Sequence, residues 1–212
     1  MITTTPTVFV VDDDPAVRDS LEMLIRAQGM AVSAFEHANH FLQDYQPGAI
    51  GCLVLDIRMP QITGLALQEM LMEKNMHLPI VFITGHGDVE QCSRAFKSGA
   101  IDFLTKPIDQ GRLLDGIKRG IRLCIQQHAQ ETETQDVLHR LARISPRERE
   151  VLDLIADGMS SKEIAQRLNL SPRTVDVYRA NLFDKLGVPS LADLIRFYLR
   201  ALEATGKKPS EV

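Results

Sequence analysis

The sequence predicts an α/β protein with a doubly wound parallel sheet, followed by a smaller all-α domain of four helices. Three observations lead there. Four short apolar runs, at 8–11, 52–55, 80–83 and 101–104, are separated by helical patterns. Strands alternating with helices imply a parallel sheet wound through right-handed crossovers. Beyond residue 140 such runs give way to a crowd of helix-start signals. The chain, at 212 residues, also exceeds one typical domain of about 100–150 residues.

Each strand-like run ends on a residue that can do chemistry. Asp12 and Asp13 follow the first, Asp56 the second, Thr84 the third, and Lys106 stands just past the fourth. In a parallel sheet the carboxyl ends of the strands share one edge, and ligands bind there. Three carboxylates, a hydroxyl and an ammonium therefore converge from across the sequence. Asp12, Asp13 and Asp56 supply the hard oxygens that magnesium (Mg2+) takes in octahedral geometry. A bound cation would also relieve their mutual repulsion. Asp56 can act as a nucleophile on a phosphoryl donor, forming an aspartyl phosphate. Lys106 can pair with the added charge, and Thr84 can offer its hydroxyl to a phosphoryl oxygen. Taken singly, these residues have plainer roles. An Asp after a strand is usually a helix cap or turn residue, and Asp14-Pro15 has that form. Thr84 alone reads as a loop hydroxyl, and Lys106 as a solvated charge. Their joint occurrence at four strand ends favours the chemical reading.

Composition narrows the class. A hydrophobic content of 44% suits a globular protein. No apolar run approaches the ~20 residues needed to span a bilayer, and the N-terminus lacks the regions of a signal peptide. Cys52, Cys92 and Cys124 are too widely spaced for a zinc site or a disulfide framework. A cytoplasmic protein without a membrane partner is expected. The net charge of −4 hides an asymmetry: residues 1–122 carry 11 basic against 15 acidic residues, and 140–200 carry 11 against 8. The second half is too mildly basic for charge alone to identify a nucleic-acid binder.

The expected division is 1–122, a helical linker 123–139, a helical domain 140–205 and a tail 206–212. Leu114, Ile117, Ile121 and Cys124 recur at helical spacing, and then His128, Glu131 and Gln135 continue that register. A helix closes the first domain and runs on into a solvated linker, with a parallel coiled coil left open. No Gly or Pro interrupts 121–145, which favours a stiff connection.

The helical domain is punctuated by caps. Ser145-Pro-Arg-Glu148 combines an N-cap, Pro at N1 and Glu at N3, and Ser160-Ser-Lys-Glu163 is a second capping box. Ser171-Pro172 repeats the cap, Ser190 opens a fourth helix, and Gly158 and Gly187 stand at expected helix ends. Helices near 161–168 and 172–186 have helix-turn-helix proportions. At about 100° per residue, Val175, Leu182 and Leu186 face the core of the second of these. Val177, Ala180 and Asp184 project opposite, flanked by Arg173, Asp176 and Asn181. Arg179 and Lys185 are placed for phosphates. Such a helix can enter the major groove, with Val177 or Ala180 on a thymine methyl and Asn181 on adenine. A solvated helix face fits the same periodicity.

The stretches Val-Asp-Asp-Asp-Pro (11–15), Leu-Asp-Ile-Arg-Met-Pro (55–60) with Gly64, Ile-Thr-Gly-His-Gly (83–87) and Asp-Phe-Leu-Thr-Lys-Pro (102–107) resemble the receiver domain of two-component response regulators. The resemblance covers about residues 5–125 and implies a five-stranded (βα)5, flavodoxin/CheY-like fold. It makes Asp56 the phosphoacceptor. Asp12, Asp13, Asp56 and the Arg58 backbone carbonyl hold Mg2+. Thr84 and Phe103 form the switch pair, and Lys106 contacts the phosphoryl group. Without Thr84, Phe103 reads as ordinary core packing. The resemblance also implies a cis Lys106-Pro107 bond, and a switched face carrying helix 88–97, strand 101–104 and the helix from 109. Arg58 and His86 lie where they can tune phosphate hydrolysis.

The stretches 154–165, 170–182 and Lys-Leu-Gly-Val (185–188) resemble the LuxR/FixJ-type DNA-binding domain, over about residues 140–203. Glu148 matches that family's structural Glu, and 172–186 its recognition helix. Lys162, Arg173, Thr174, Asp176, Val177, Tyr178, Arg179, Ala180, Asn181 and Lys185 are the expected DNA-contacting set. Tyr178 stands where the family usually has His. Helix 190–202 matches the family's dimerisation helix. Together the two resemblances imply a transcriptional response regulator. Its partners are a sensor histidine kinase, promoter DNA, RNA polymerase and, on phosphorylation, a second copy. Two other readings account for part of the pattern. A haloacid dehalogenase-type phosphatase would use Asp12 and Asp14, but Asp109 and Asp115 do not reproduce its later acidic motif and Asp56 is left unexplained. A regulator whose helical domain docks a protein is separated from a DNA binder by salt-dependent duplex binding.

Overall fold

The structure is a computed structural model that describes residues 5–85, 93–95 and 97–206. His86, Cys92, most of helix 88–97 and the tail from 207 lie outside the described residues; Ser93, Arg94, Ala95 and Lys97 are helical. The chain divides into two compact units, with the boundary in sequence between Ala129 and Gln130.

The first unit alternates strands and helices: β1 (Thr7–Val11), α1 (Pro15–Ala27), β2 (Ala31–Phe35), α2 (Ala38–Asp44), β3 (Gly51–Asp56), α3 (Gly64–Glu73), β4 (Ile80–Thr84) and β5 (Asp102–Thr105). The sheet order is β2-β1-β3-β4-β5 and every pairing is parallel. All of β3 is buried, whereas the edge strands β2 and β5 are only partly so. A central parallel strand is covered on both faces, which is why it reads as an unbroken apolar run.

Successive side chains point to opposite faces, and the two faces build separate cores. Val8, Val10, Cys52, Val54, Val81 and Ile83 pack with Leu21 and Ile25 of α1 and with Leu113 and Ile117 of the helix after β5. Phe9, Val11, Leu53, Leu55, Ile80 and Phe82 pack with Phe41 of α2 and Leu67 and Leu71 of α3. Burying one such side chain contributes about 1.5–3 kcal/mol, so each face is a substantial share of the unit's stability. This is the doubly wound arrangement, and it places the carboxyl ends of the strands along one edge of the sheet.

Helix α4 (Gln110–Leu141) is one continuous helix of 32 residues. It starts in the first unit and ends in the second, where Val137 is buried and Leu141 packs beside it. The second unit continues with α5 (Pro146–Ala156), α6 (Ser161–Leu168), α7 (Pro172–Leu186) and α8 (Leu191–Thr205). Both capping boxes form: the Ser145 and Ser160 side chains accept from the N–H groups of Glu148 and Glu163, whose carboxylates accept in return. Asn169 and Gly187 end α6 and α7 with positive φ of 55° and 62°, the left-handed conformation that Gly and Asn reach at least cost. Val175, Leu182 and Leu186 are fully buried as their register predicts, in a core shared with Ile164, Leu194 and Tyr198.

Candidate functional site

The polar edge of the sheet gathers the residues named from the strand ends. Asp12 follows β1, Asp56 and Thr84 are the last residues of β3 and β4, and Asp12 and Thr84 are fully buried. The Thr84 carbonyl accepts from the Lys106 N–H at 2.7 Å, bringing Lys106 across from β5. The Lys106-Pro107 peptide is cis. Gly64 opens α3 directly beneath Asp56: its N–H donates to the Ile57 carbonyl at 2.9 Å. A Cβ on Gly64 would lie 2.3 Å from the Asp56 carbonyl oxygen, so only glycine lets α3 start there.

Carboxylate oxygens of Asp12, Asp13 and Asp56 lie within 4.8 Å of one another. An octahedral Mg2+ with ligands at about 2.0–2.1 Å needs oxygens about 3–4 Å apart, so the three fit a shared ion. Asp56 Oδ1 is buried without a hydrogen-bond partner, as an oxygen awaiting a ligand would be. Lys106 Nζ lies 2.8 Å from Asp12 Oδ2 and 3.6 Å from Asp56 Oδ2. Burial, then the neighbouring Asp12 charge, pushes the Asp56 carboxyl above its usual range, against the pull of Lys106 and the Arg58 and Ile57 N–H groups. Burial alone would lower the Lys106 ammonium, but Asp12 and Asp56 together raise it. The Arg58 side chain is exposed, and Phe103 is partly buried against the core of the α2–α3 face.

This arrangement suits acceptance of a phosphoryl group: a nucleophilic carboxylate, ligands for a divalent cation, a buried hydroxyl and a cation share one pocket. Sequence reasoning did not find Gln68, whose buried side chain donates to the Ser98 carbonyl at 3.0 Å and ties α3 to the segment before β5. It also missed Asp102, which accepts from its own neighbour's Phe103 N–H and pairs with Arg112 and Arg119. Neither has a local sequence signal, because each partner set is brought together only by the crossovers.

In the second unit the exposed face of α7 carries Arg173, Asp176, Val177, Ala180 and Asn181, while Thr174, Tyr178 and Arg179 are half-buried. Val177 is 54% exposed, unusual for a large aliphatic side chain. Among the described residues, Lys162, Arg173 and Arg179 have no carboxylate partner, whereas most other cations of this unit are paired. Lys185 does not stand free on that face: its Nζ donates to both Glu148 oxygens, at 2.9 and 2.7 Å. Burial works against ionised Glu148, yet Lys185 and the Ser145 N–H hold its carboxyl below the usual range. The Ser161 hydroxyl donates to Asp176 Oδ1 at 3.0 Å, linking α6 to α7.

Comparison with known families agrees with both halves. Residues 8–118 match the response regulator receiver domain, and residues 142–198 match the bacterial regulatory proteins of the luxR family. The chain belongs to the two-component response regulators with a LuxR-type output domain. It is 42% identical to the transcriptional regulatory protein FixJ of Bradyrhizobium diazoefficiens, over 94% of this chain and 98% of that one. The response regulator protein TodT of Pseudomonas putida is 39% identical over 89% of this chain and 83% of its own. Among solved structures, the response regulator StyR superposes with a TM-score of 0.89 at 42% identity, covering 92% of this chain and 99% of that one. Full-length FixJ from B. japonicum gives 0.55 at 40% identity, covering 94% and 98%. This response regulator is thus a transcriptional regulator of a two-component system. Among its described residues, no helix is long and apolar enough to cross a membrane.

Proposed function

We propose that Asp56 is the phosphoacceptor of this regulator and that its charge state governs DNA binding by α7. The observation that carries the reading is the Asp12, Asp13 and Asp56 cluster with Lys106 beside it and Asp56 Oδ1 unpartnered. A carboxylate oxygen of Asp56 forms the new P–O bond as the P–N bond of a sensor kinase's phosphohistidine breaks, and the imidazole nitrogen leaves with the electron pair. Asp12, Asp13, Asp56 and the Arg58 carbonyl would hold Mg2+, which supplies neutralisation of the transferring oxygens when bound. Lys106 then turns from Asp12 toward the phosphoryl group. Thr84 donates to a phosphoryl oxygen, and Phe103 moves deeper into the space released. The chain's own catalysis is confined to gaining and losing this group.

The added charge of about −2 favours a homodimer, and two α7 helices then read half-sites about one helical turn apart on promoter DNA. Lys162, Arg173 and Arg179 contact phosphates; Thr174, Asp176, Val177, Tyr178, Ala180 and Asn181 face or flank the groove. Lys185 positions α7 through Glu148. The expected further partner is RNA polymerase, and the expected compartment is the cytoplasm. The test is incubation with Mg2+ and radiolabelled acetyl phosphate. Wild type should take up close to one acid-labile phosphate per chain and Asp56→Asn none; equal labelling of the variant would remove Asp56 from the role.

A further inference from the structure

Asp176 is out of place on a DNA-binding surface. A carboxylate near a duplex is repelled by the phosphates, so on a groove-facing helix it weakens binding unless it reads a base edge. One contact and one absence show how it is presented. The Ser161 hydroxyl, at the first residue of α6, donates to Asp176 Oδ1 at 3.0 Å. Asp176 is otherwise exposed, and no cation pairs with it among the described residues, although Arg173 and Arg179 stand one turn to either side. One oxygen is thus fixed to the neighbouring helix, and the other is left as a pure acceptor on the exposed side of α7.

The chemistry of the major groove selects the partner. Guanine shows two acceptors there and thymine one acceptor and a methyl group. Adenine shows a donor beside an acceptor. Cytosine alone shows a donor, its N4 amine, with no acceptor next to it. A single ionised oxygen gains a charge-assisted bond from cytosine, meets only acceptors at guanine and thymine, and at adenine meets a donor with the repelling N7 beside it. We propose that Asp176 is a specificity-determining residue that requires cytosine at one position of each half-site, with Ser161 as the residue that positions it. This rests on α7 being the recognition helix. The neighbouring Val177, one residue on, then lies against an adjacent pair, where its exposed side chain suits a thymine methyl.

The test is selection of duplexes from a randomised library by the full-length protein with Mg2+ and beryllofluoride. Wild type, Asp176→Asn, Ser161→Ala and Arg179→Ala are compared, with affinities then measured on single-position variants of the selected duplex. Wild type should keep one cytosine per half-site, and replacing it should weaken binding about ten-fold. Asn offers both a donor and an acceptor, so Asp176→Asn should shift that position toward adenine and leave the others unchanged. Ser161→Ala should relax the same position alone. An unchanged motif in Asp176→Asn overturns the proposal; if Arg179→Ala still weakens binding, α7 remains the recognition helix. Failure of wild type to enrich any duplex, with beryllofluoride shown to be bound, overturns both.

Discussion

Lys106 is held closer to Asp12 than to Asp56: its Nζ lies 2.8 Å from Asp12 Oδ2 and 3.6 Å from Asp56 Oδ2. The cation is thus parked on a carboxylate that is fully buried, within reach of Asp56. Removing it strands a buried charge, which typically costs about 3–5 kcal/mol. Lys106→Ala should therefore lower stability on that scale in metal-free buffer, and Mg2+ should restore part of the loss. Urea titrations with and without Mg2+ check this. A loss untouched by Mg2+ would mean the carboxylates do not share an ion.

Asp56 behaves in the opposite sense. Its carboxyl is raised by burial and by Asp12, so the ionised form is less stable folded than unfolded. Its contribution is fully present at low pH and is lost as pH rises through the carboxylate range. Asn at this position removes the cost. Metal-free Asp56→Asn should be more stable than wild type at pH 7, by an amount on the order of 1 kcal/mol, with the gap closing toward pH 3. Mg2+ should raise the melting temperature of wild type more than that of the variant.

The strand ends were legible because a buried parallel strand is written as an unbroken apolar run, so the residue that closes the run declares itself. Helices α6 and α7 were readable to the residue because Ser160, Ser171 and Gly187 mark their ends chemically. Pairings between distant residues were not. Lys185 looked like a phosphate contact from its helical register alone; its partner Glu148 lies 37 residues away and becomes visible only when α5 and α7 pack. The same holds for Ser161 with Asp176, 15 residues apart. Val137 was hidden for another reason: the polar residues after Cys124 interrupt the apolar seam of α4, which resumes against a different core.

Those pairings separate two cations of α7. Arg179 has no carboxylate partner among the described residues, and Lys185 has Glu148. Arg179→Ala should weaken duplex binding by about 1–3 kcal/mol and reduce the salt slope by about 1 without changing stability. Lys185→Ala should instead destabilise the second unit. Fluorescence anisotropy across a salt series, with a melt of each variant, tells these apart.

Glu148 gives the second unit its acid sensitivity. Lys185 and the Ser145 N–H depress its carboxyl. The stability it contributes is present above the unfolded carboxylate value of about 4.3 and disappears as pH falls through the lower folded one. Glu148→Gln should cost about 2 kcal/mol at pH 7 through the lost charge-assisted hydrogen bonds, and progressively less as pH falls through the folded carboxyl value. A cost independent of pH would show that the group acts through packing instead.

The central claim, that charge on Asp56 controls the output helix, is tested most directly by affinity for the selected duplex. Full-length protein is titrated with Mg2+, with and without beryllofluoride, using Asp56→Asn as control and sedimentation on the same samples. Tighter binding with a shift from monomer to dimer, in wild type alone, is the predicted result. Unchanged affinity with beryllofluoride bound at Asp56 would contradict it.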